Sequence, residues 1–94
     1  MPTTNLAAGT TGADSSDITV VAGTPKTIGV FRDDEKPISS ECECQVYRKD
    51  ANGDYTPTGL WIGAKQPNVV LHGPGVFMVR RPDSLTYPHG ISED

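Results

Sequence analysis

The stretch Glu41-Cys42-Glu43-Cys44-Gln45-Val46-Tyr47 decides the fold class of this 94-residue chain. Polar residues at 41, 43 and 45 alternate with apolar residues at 42, 44 and 46. Only a half-buried β-strand explains a period of two, because successive side chains of a strand point to opposite faces. One face of this strand must therefore contact a core while the other faces water.

Comparable short, β-branched segments lie on both sides of this strand. They are separated by glycine and proline turns about every 8–12 residues, and no window has a helical period. The segments are Ile18–Val21, Lys26–Phe31, Tyr55–Ile62, Asn68–His72 and Val76–Arg81, and an Asn52-Gly53 hairpin signal precedes the third of them. The pattern predicts an all-β fold, a small Ig-like β-sandwich of six to seven short antiparallel strands.

The predicted core consists of large or apolar side chains from these strands. We assign to it Trp61, Phe31, Phe77, Val46 and Cys44. Cys42 and Cys44 lie at i and i+2, so both thiols face the core without bonding to each other. We interpret them as two small buried thiols, and an intermolecular or redox role remains the alternative.

The two ends of the chain differ from its centre in composition. Apart from Met1, residues 1–16 contain a single large apolar side chain, Leu6, and they are predicted to form a flexible N-terminal arm. Residues 17–82 form the predicted sandwich domain, and residues 83–94 a C-terminal tail or short edge strand. Because the first residues lack the basic and apolar regions of a secretion signal, we expect the protein to stay in the cytoplasm where it is made.

Charge and hydropathy exclude two classes of partner. Twelve acids against eight bases give a net charge of −4, which argues against nucleic-acid binding. No apolar stretch approaches the ~20 residues that a membrane span needs. Between Ile18 and Arg81 the chain carries 8 bases and 7 acids, so the acidity belongs to the ends. A near-neutral body favours protein partners, and acidic ends would be repelled by DNA.

The residues that could carry chemistry do not form a catalytic or metal-binding pattern. Residues 50–55, DANGDY, begin like a calcium loop but lack the glycine at its sixth position and the bidentate glutamate at its twelfth. Glu41 and Glu43 alternate with apolar residues and therefore face water, whereas a catalytic carboxylic acid with a raised pKa needs burial. His72 and His89 are interpreted as surface residues. We expect a non-enzymatic protein without metal or cofactor.

Five basic residues near strand ends could form a strip: Arg80, Arg81, Arg32, Arg48 and Lys49. Charges at these positions could simply prevent sheet edges from pairing with other chains. Alternatively, the arginine forks could meet carboxylates on a neighbouring subunit. The sequence leaves both interpretations open.

Two segments carry a resemblance to a known class of protein. Residues 17–31, DITVVAGTPKTIGVF, and residues 69–82, VVLHGPGVFMVRRP, resemble small virion structural proteins of tailed bacteriophages. Those proteins begin with two strands that are joined by an A-G-x-P turn. Later in the chain they contain a G-P-G segment that ends in R-P. The resemblance implies a capsid decoration (cement) protein that binds the outer surface of the major capsid protein shell and stabilises the head. It brings no catalytic residues.

The resemblance places the protein on the capsid surface of the virion, and the open edges of a small sandwich favour a trimer or dimer. The contacts with other subunits are assigned to residues of the arm and to a strand end: Thr3, Thr4, Asn5, Leu6, Arg80 and Arg81. One alternative is another virion accessory, such as a head–tail connector, head fibre or tail protein. The other is a carbohydrate- or receptor-binding β-sandwich module, with Tyr47, Tyr55 and Tyr87 exposed for stacking.

Overall fold

The structure, a computed structural model, describes residues 3–32, 34 and 36–93. These residues form strands and connecting turns, and none of them forms a helix long and apolar enough to cross a membrane. The strands are β1 (Thr3–Gly9), β2 (Ala13–Asp14), β3 (Ile18–Val20), β4 (Lys26–Phe31), β5 (Glu43–Lys49), β6 (Tyr55–Gly63), β7 (Asn68–Leu71), β8 (Gly75–Arg81) and β9 (His89–Glu93). The prediction of a small all-β sandwich is confirmed.

Two antiparallel sheets make up the sandwich. The first has the strand order β1-β9-β4-β7, and the second has the order β2-β8-β5-β6 with β3 also paired to β8. β2 pairs with the end of β8 and β3 with its beginning. Ser15 fills the gap between them, since its N–H donates to the Val79 carbonyl at 2.9 Å and its Oγ accepts from the Val79 N–H at 2.9 Å.

The core between the sheets is built mainly from β-branched side chains. These suit a pleated surface because their side-chain rotamers are already restricted. The fully buried members are Ile18, Val20, Ile28, Val46, Ile62, Val79 and Ile91, with both cysteines beside them. Of the aromatic side chains predicted for the core, Phe77 is buried and Phe31 is half-buried.

The described part of residues 1–16 differs from the expected flexible arm. β1 pairs with β9, Leu6 packs against the core, and β2 pairs with β8. The segment has few apolar side chains, and hydrogen bonds hold it instead. The Asn5 carbonyl accepts from the Ser16 N–H at 2.9 Å, and the Thr10 carbonyl accepts from the Leu85 N–H at 2.9 Å.

The last strand is neither a tail nor an edge. β9 lies between β1 and β4, and both His89 and Ile91 are fully buried. The expectation that His89 lies on the surface is therefore wrong. Its ring can be buried because both nitrogens have partners: Nδ1 is 2.8 Å from the Tyr87 carbonyl, and Nε2 accepts from the Ser39 N–H at 3.2 Å.

Three of the acids near the chain ends bond to bases of the domain body, which offsets part of the acidity that the composition assigned to the ends. The pairs are Asp14 with Arg80 at 2.8 Å, Asp17 with Lys49 at 3.6 Å, and Glu93 with Lys26 at 2.8 Å. The charges of the first and last segments therefore help to dock these segments onto the body.

Glu93 gives the first testable prediction. Its salt bridge with Lys26 and its hydrogen bond from Asn5 Nδ2, at 2.8 Å, hold the pKa of the carboxyl below its usual range. A lowered pKa contributes stability that is complete above the unfolded value of about 4.3 and is lost as pH falls through the folded value. We expect Glu93→Gln to be less stable than the wild type at pH 7, and the difference to shrink below about pH 4.

Urea denaturation between pH 2.5 and pH 7 measures this difference. Asp54→Asn is the matched control, because it removes the same charge from an exposed hairpin position. A gap between Glu93→Gln and the wild type that stays constant with pH would contradict the assignment.

Candidate binding surface

Four residues on four adjacent strands form a row across the outer face of the second sheet. Asp14 of β2 lies opposite Arg80 of β8, Arg80 lies opposite Gln45 of β5, and Gln45 lies opposite Trp61 of β6. Neighbouring strands are about 4.8 Å apart, so the row spans about 14 Å. We call these four residues the cross-strand row.

Tyr47, two residues beyond Gln45 on the same strand and face, ties three members of the row together. The Arg80 guanidinium bonds to the Asp14 carboxylate at 2.8 Å and stacks 4.6 Å from the centre of the Tyr47 ring. Arg80 also donates to the Tyr47 hydroxyl at 3.3 Å, and that hydroxyl donates to Gln45 Oε1 at 3.2 Å. The hydrogen bond with Asp14 raises the pKa of Arg80, which stays charged. These side chains are therefore held in place before any partner binds.

Trp61 is not in the core, and this prediction is wrong. Its side chain is 47% exposed, whereas its neighbour Ile62 is fully buried opposite Cys44. Because consecutive strand residues face opposite sides, the burial of Ile62 directs Trp61 outward. An exposed indole on a rigid sheet is unusual, since tryptophan is normally among the most buried large residues.

A bulge in β6 sets the position of Trp61 along the sheet. Pro57 lies opposite Tyr47, and Trp61 lies opposite Gln45. Three residues of β6 therefore face a single residue of β5, Val46. The Thr58 hydroxyl donates to the Val46 carbonyl at 2.8 Å, and Gly59 has a φ of 83°. Bulges re-aim side chains at strand edges. Here the bulge determines which residue of β6 joins the cross-strand row.

A trough of about 520 Å³ runs along the row on the side of Glu43. Glu43 lies opposite Gly63. Because Gly63 has no side chain, the surface of the sheet is recessed on this side of Trp61. The residues lining the trough are Gly12, Ala13, Asp14, Glu43, Gln45, Tyr47, Trp61, Arg80, Arg81, Pro82 and Asp83. The volume falls within the range of small-ligand pockets, about 300–1,000 Å³.

The residues that the sequence analysis assigned to binding do not lie together. Thr3, Thr4, Asn5 and Leu6 belong to β1, an edge strand of the first sheet, whereas Arg80 belongs to the cross-strand row of the second. The carbonyl of Asn5 already accepts a hydrogen bond from Ser16. This bond occupies part of the strand edge that would otherwise pair with another chain.

Arg81 has a structural role, although it follows the exposed Arg80 directly in the sequence. It is only 5% exposed, and its guanidinium donates to three carbonyls, those of Thr11 at 2.6 Å, Ala7 at 2.8 Å and His89 at 2.9 Å. These carbonyls belong to both ends of the chain, so Arg81 fastens the two ends to the second sheet. The expected basic strip is therefore divided between two faces.

The two thiols are packed below the trough. Cys42 and Cys44 are fully buried free cysteines with their Sγ atoms 3.7 Å apart. Their hydrogen bond and their burial raise the pKa of the Cys44 thiol, which disfavours the reactive thiolate. Within the described ranges, no three His, Cys, Asp or Glu side chains are grouped so that they could hold a metal ion.

The segment that resembled a calcium loop forms the β5–β6 hairpin turn. Asp50 Oδ1 accepts from the N–H groups of Asn52 at 2.9 Å and Asp54 at 3.0 Å. The Asp50 carboxylate is thus used by the turn itself, and Gly53 takes a φ of 88°. The hairpin predicted from Asn52-Gly53 is present.

Comparison with known proteins adds no assignment. No protein-family model, no curated protein and no solved structure matches this chain. The interpretation of the cross-strand row and the trough therefore depends on the chemistry of their own residues.

Proposed function

We propose that this protein is a non-enzymatic structural protein of a tailed-bacteriophage particle, a capsid decoration protein that binds the major capsid protein through the cross-strand row. The observation that carries the proposal is the presence of exposed Trp61 and Arg80 with half-buried Tyr47 on one outer face of the sheet. Tryptophan, tyrosine and arginine are the residue types that supply most of the binding energy in protein interfaces. The resemblance of residues 17–31 and 69–82 to bacteriophage virion proteins suggests the kind of particle.

Preorganisation of the row favours this use. Arg80 is already oriented by Asp14 and by the ring of Tyr47, so binding a partner would cost little side-chain entropy. The row lies on strands rather than on loops, which gives the partner a surface of fixed shape. A protein that bridges capsid subunits needs such a surface, because its effect on the particle depends on holding neighbours at a fixed distance.

The test is Trp61→Ala in a sedimentation assay with particles that lack the protein. Because truncation of a central tryptophan typically costs at least about 2 kcal/mol, we expect the affinity for intact heads to fall by about 30-fold or more. The variant should no longer protect heads from rupture by heat. Tyr87→Ala is the matched control, since Tyr87 is 45% exposed but lies outside the row and the trough.

The outcomes separate the candidate functions. If the wild-type protein does not sediment with heads, or if Trp61→Ala binds them as well as Tyr87→Ala does, the proposal is wrong. Sedimentation with isolated tails instead of heads would identify a different virion accessory protein. In either case the melting temperature of each variant shows whether lost binding reflects lost folding.

A further inference from the structure

All three tyrosines of the chain share one arrangement. A basic side chain lies over each ring, and an aspartate bonds to that same base. The three sets are Tyr47 with Arg80 and Asp14, Tyr55 with Lys49 and Asp17, and Tyr87 with Arg32 and Asp34. The distances from the cation to the ring centre are 4.6, 5.7 and 4.5 Å in that order. Such contacts are attractive because the face of an aromatic ring is electronegative.

Trp61 is the remaining exposed aromatic side chain, and it also has a carboxylate neighbour. Glu43 and Trp61 lie diagonally across β5 and β6, since Glu43 is opposite Gly63 and Gln45 is opposite Trp61. Diagonal neighbours on one face are about 7–8 Å apart at the backbone, within reach of long side chains. Both residues line the trough. They supply the aromatic ring and the carboxylate of a fourth set.

The cation of this fourth set does not come from the described part of the chain. Across residues 3–32, 34 and 36–93, no base lies over the Trp61 ring, and the Glu43 carboxylate has neither a hydrogen bond nor an ion pair. Lys65 lines a second depression together with Glu43 and Trp61 but bonds to neither. Indole is the aromatic ring that binds cations best. Trp61, whose ring binds cations most strongly, is thus the exposed aromatic residue for which the described part of the chain supplies no cation.

We propose that the trough receives an arginine side chain of the partner, with its guanidinium against the Trp61 ring and the Glu43 carboxylate. This inference rests on the proposed function, since it names the group that the capsid protein presents to the cross-strand row. The charged side chains that line the trough are three acids, Asp14, Glu43 and Asp83, and two bases, Arg80 and Arg81. Asp14 already pairs with Arg80, and the Arg81 guanidinium donates to three backbone carbonyls, so a cationic occupant fits the carboxylate of Glu43. A planar guanidinium can stack on the indole and bond to the carboxylate at the same time, which an ammonium does less well.

The test uses the full chain and a small probe, N-acetyl-arginine N-methylamide. Trp61 is the only tryptophan, so its indole N–H gives one unambiguous signal in a ¹H–¹⁵N NMR spectrum. We expect a weak, saturable shift of this signal, which decreases in 1 M salt because the contact is partly electrostatic. Two neutral probes serve as comparisons, N-acetyl-glutamine N-methylamide and methyl α-glucoside.

Two charge-matched variants identify the carboxylate. We expect Glu43→Gln to weaken binding of the arginine probe by roughly fivefold, because an exposed ion pair is worth up to about 1 kcal/mol. Asp54→Asn changes the net charge equally but lies at the hairpin, outside the trough, and should bind as the wild type does. Lys65→Met should leave the affinity unchanged or increase it.

Several results would overturn the inference. They are the absence of a shift with the arginine probe, equal weakening in Glu43→Gln and Asp54→Asn, and a stronger response to the glucoside, which would identify a carbohydrate site. The probe needs no phage particle, so its failure leaves the sedimentation result for Trp61→Ala intact. Conversely, a bound probe together with normal sedimentation of Trp61→Ala would contradict only the proposed function.

Discussion

Replacement of Arg81 by methionine is expected to lower the free energy of unfolding by about 3–5 kcal/mol, a large part of the stability of a domain this size. The guanidinium donates to the carbonyls of Ala7, Thr11 and His89, at 2.8, 2.6 and 2.9 Å. Methionine keeps the apolar stem but leaves the three acceptors without this donor. Each unsatisfied buried acceptor costs about 1–3 kcal/mol, and the two half-buried ones cost less than the buried carbonyl of His89.

Thermal and urea denaturation measure the effect. In a chain of this length, about 1 kcal/mol corresponds to a shift of about 4–8 °C, so the melting temperature should fall by at least about 12 °C. Arg80→Met is the control, because it removes the same group from a side chain that is 49% exposed, and it should cost less than about 1 kcal/mol. Equal melting temperatures of the two variants would contradict the role assigned to Arg81.

Arg81→Lys refines this test. Lysine keeps the positive charge, but a single ammonium group cannot reach three carbonyls that a guanidinium bridges with its rigid fork. We expect a loss smaller than that of Arg81→Met but still measurable. The close approach of Gly9 supports this geometry, since a Cβ at that position would lie 2.8 Å from Arg81 Nη2.

The sequence predicted well those strands whose stability comes from apolar burial. β4 spans the predicted residues Lys26–Phe31, and the alternation that begins at Cys42 places Cys44 and Val46 in the core. β1 was missed, and β9 was expected only as a tail or short edge strand, because buried polar groups hold them, namely the Arg81 guanidinium and the His89 imidazole. Hydrophobic periodicity contains no information about such groups.

The surface was harder to predict than the core. The register of β6 depends on a bulge in which three residues face one residue of β5, so hydropathy could not show that Trp61 rather than Gly59 lies opposite Gln45. The possible basic strip could have been narrowed from the sequence. Arg80 and Arg81 are consecutive in a strand, and consecutive strand residues face opposite sides, so one strip cannot contain both.

Deletion of residues 1–16 tests the largest difference between expectation and structure. A flexible arm could be removed with little change in melting temperature. The structure instead predicts that the truncated chain is largely unfolded at 25 °C. It would lack β1, β2 and the Ser15–Val79 contact, and Arg81 would lose two of its three acceptors.

The size of this effect follows from the small stability of such domains, about 5–15 kcal/mol. Without β1, β9 becomes an edge strand, and the buried side chains of His89 and Ile91 lose part of their cover. The Glu93 carboxylate also loses the hydrogen bond from Asn5. The combined loss of a strand, a buried guanidinium network and the Asn5–Glu93 bond is expected to exceed the stability that remains.

Circular dichroism and ¹H–¹⁵N NMR dispersion report whether the truncated chain folds. Deletion of residues 1–4 is the matched control, because it removes exposed ends of β1 but keeps Asn5, Ala7 and Ser15, and should lower the melting temperature only slightly. A synthetic peptide of residues 1–16 should restore folded signals to the longer truncation, since strands can add to an open sheet edge. A truncated chain that melts within a few degrees of the full chain would instead favour the flexible arm.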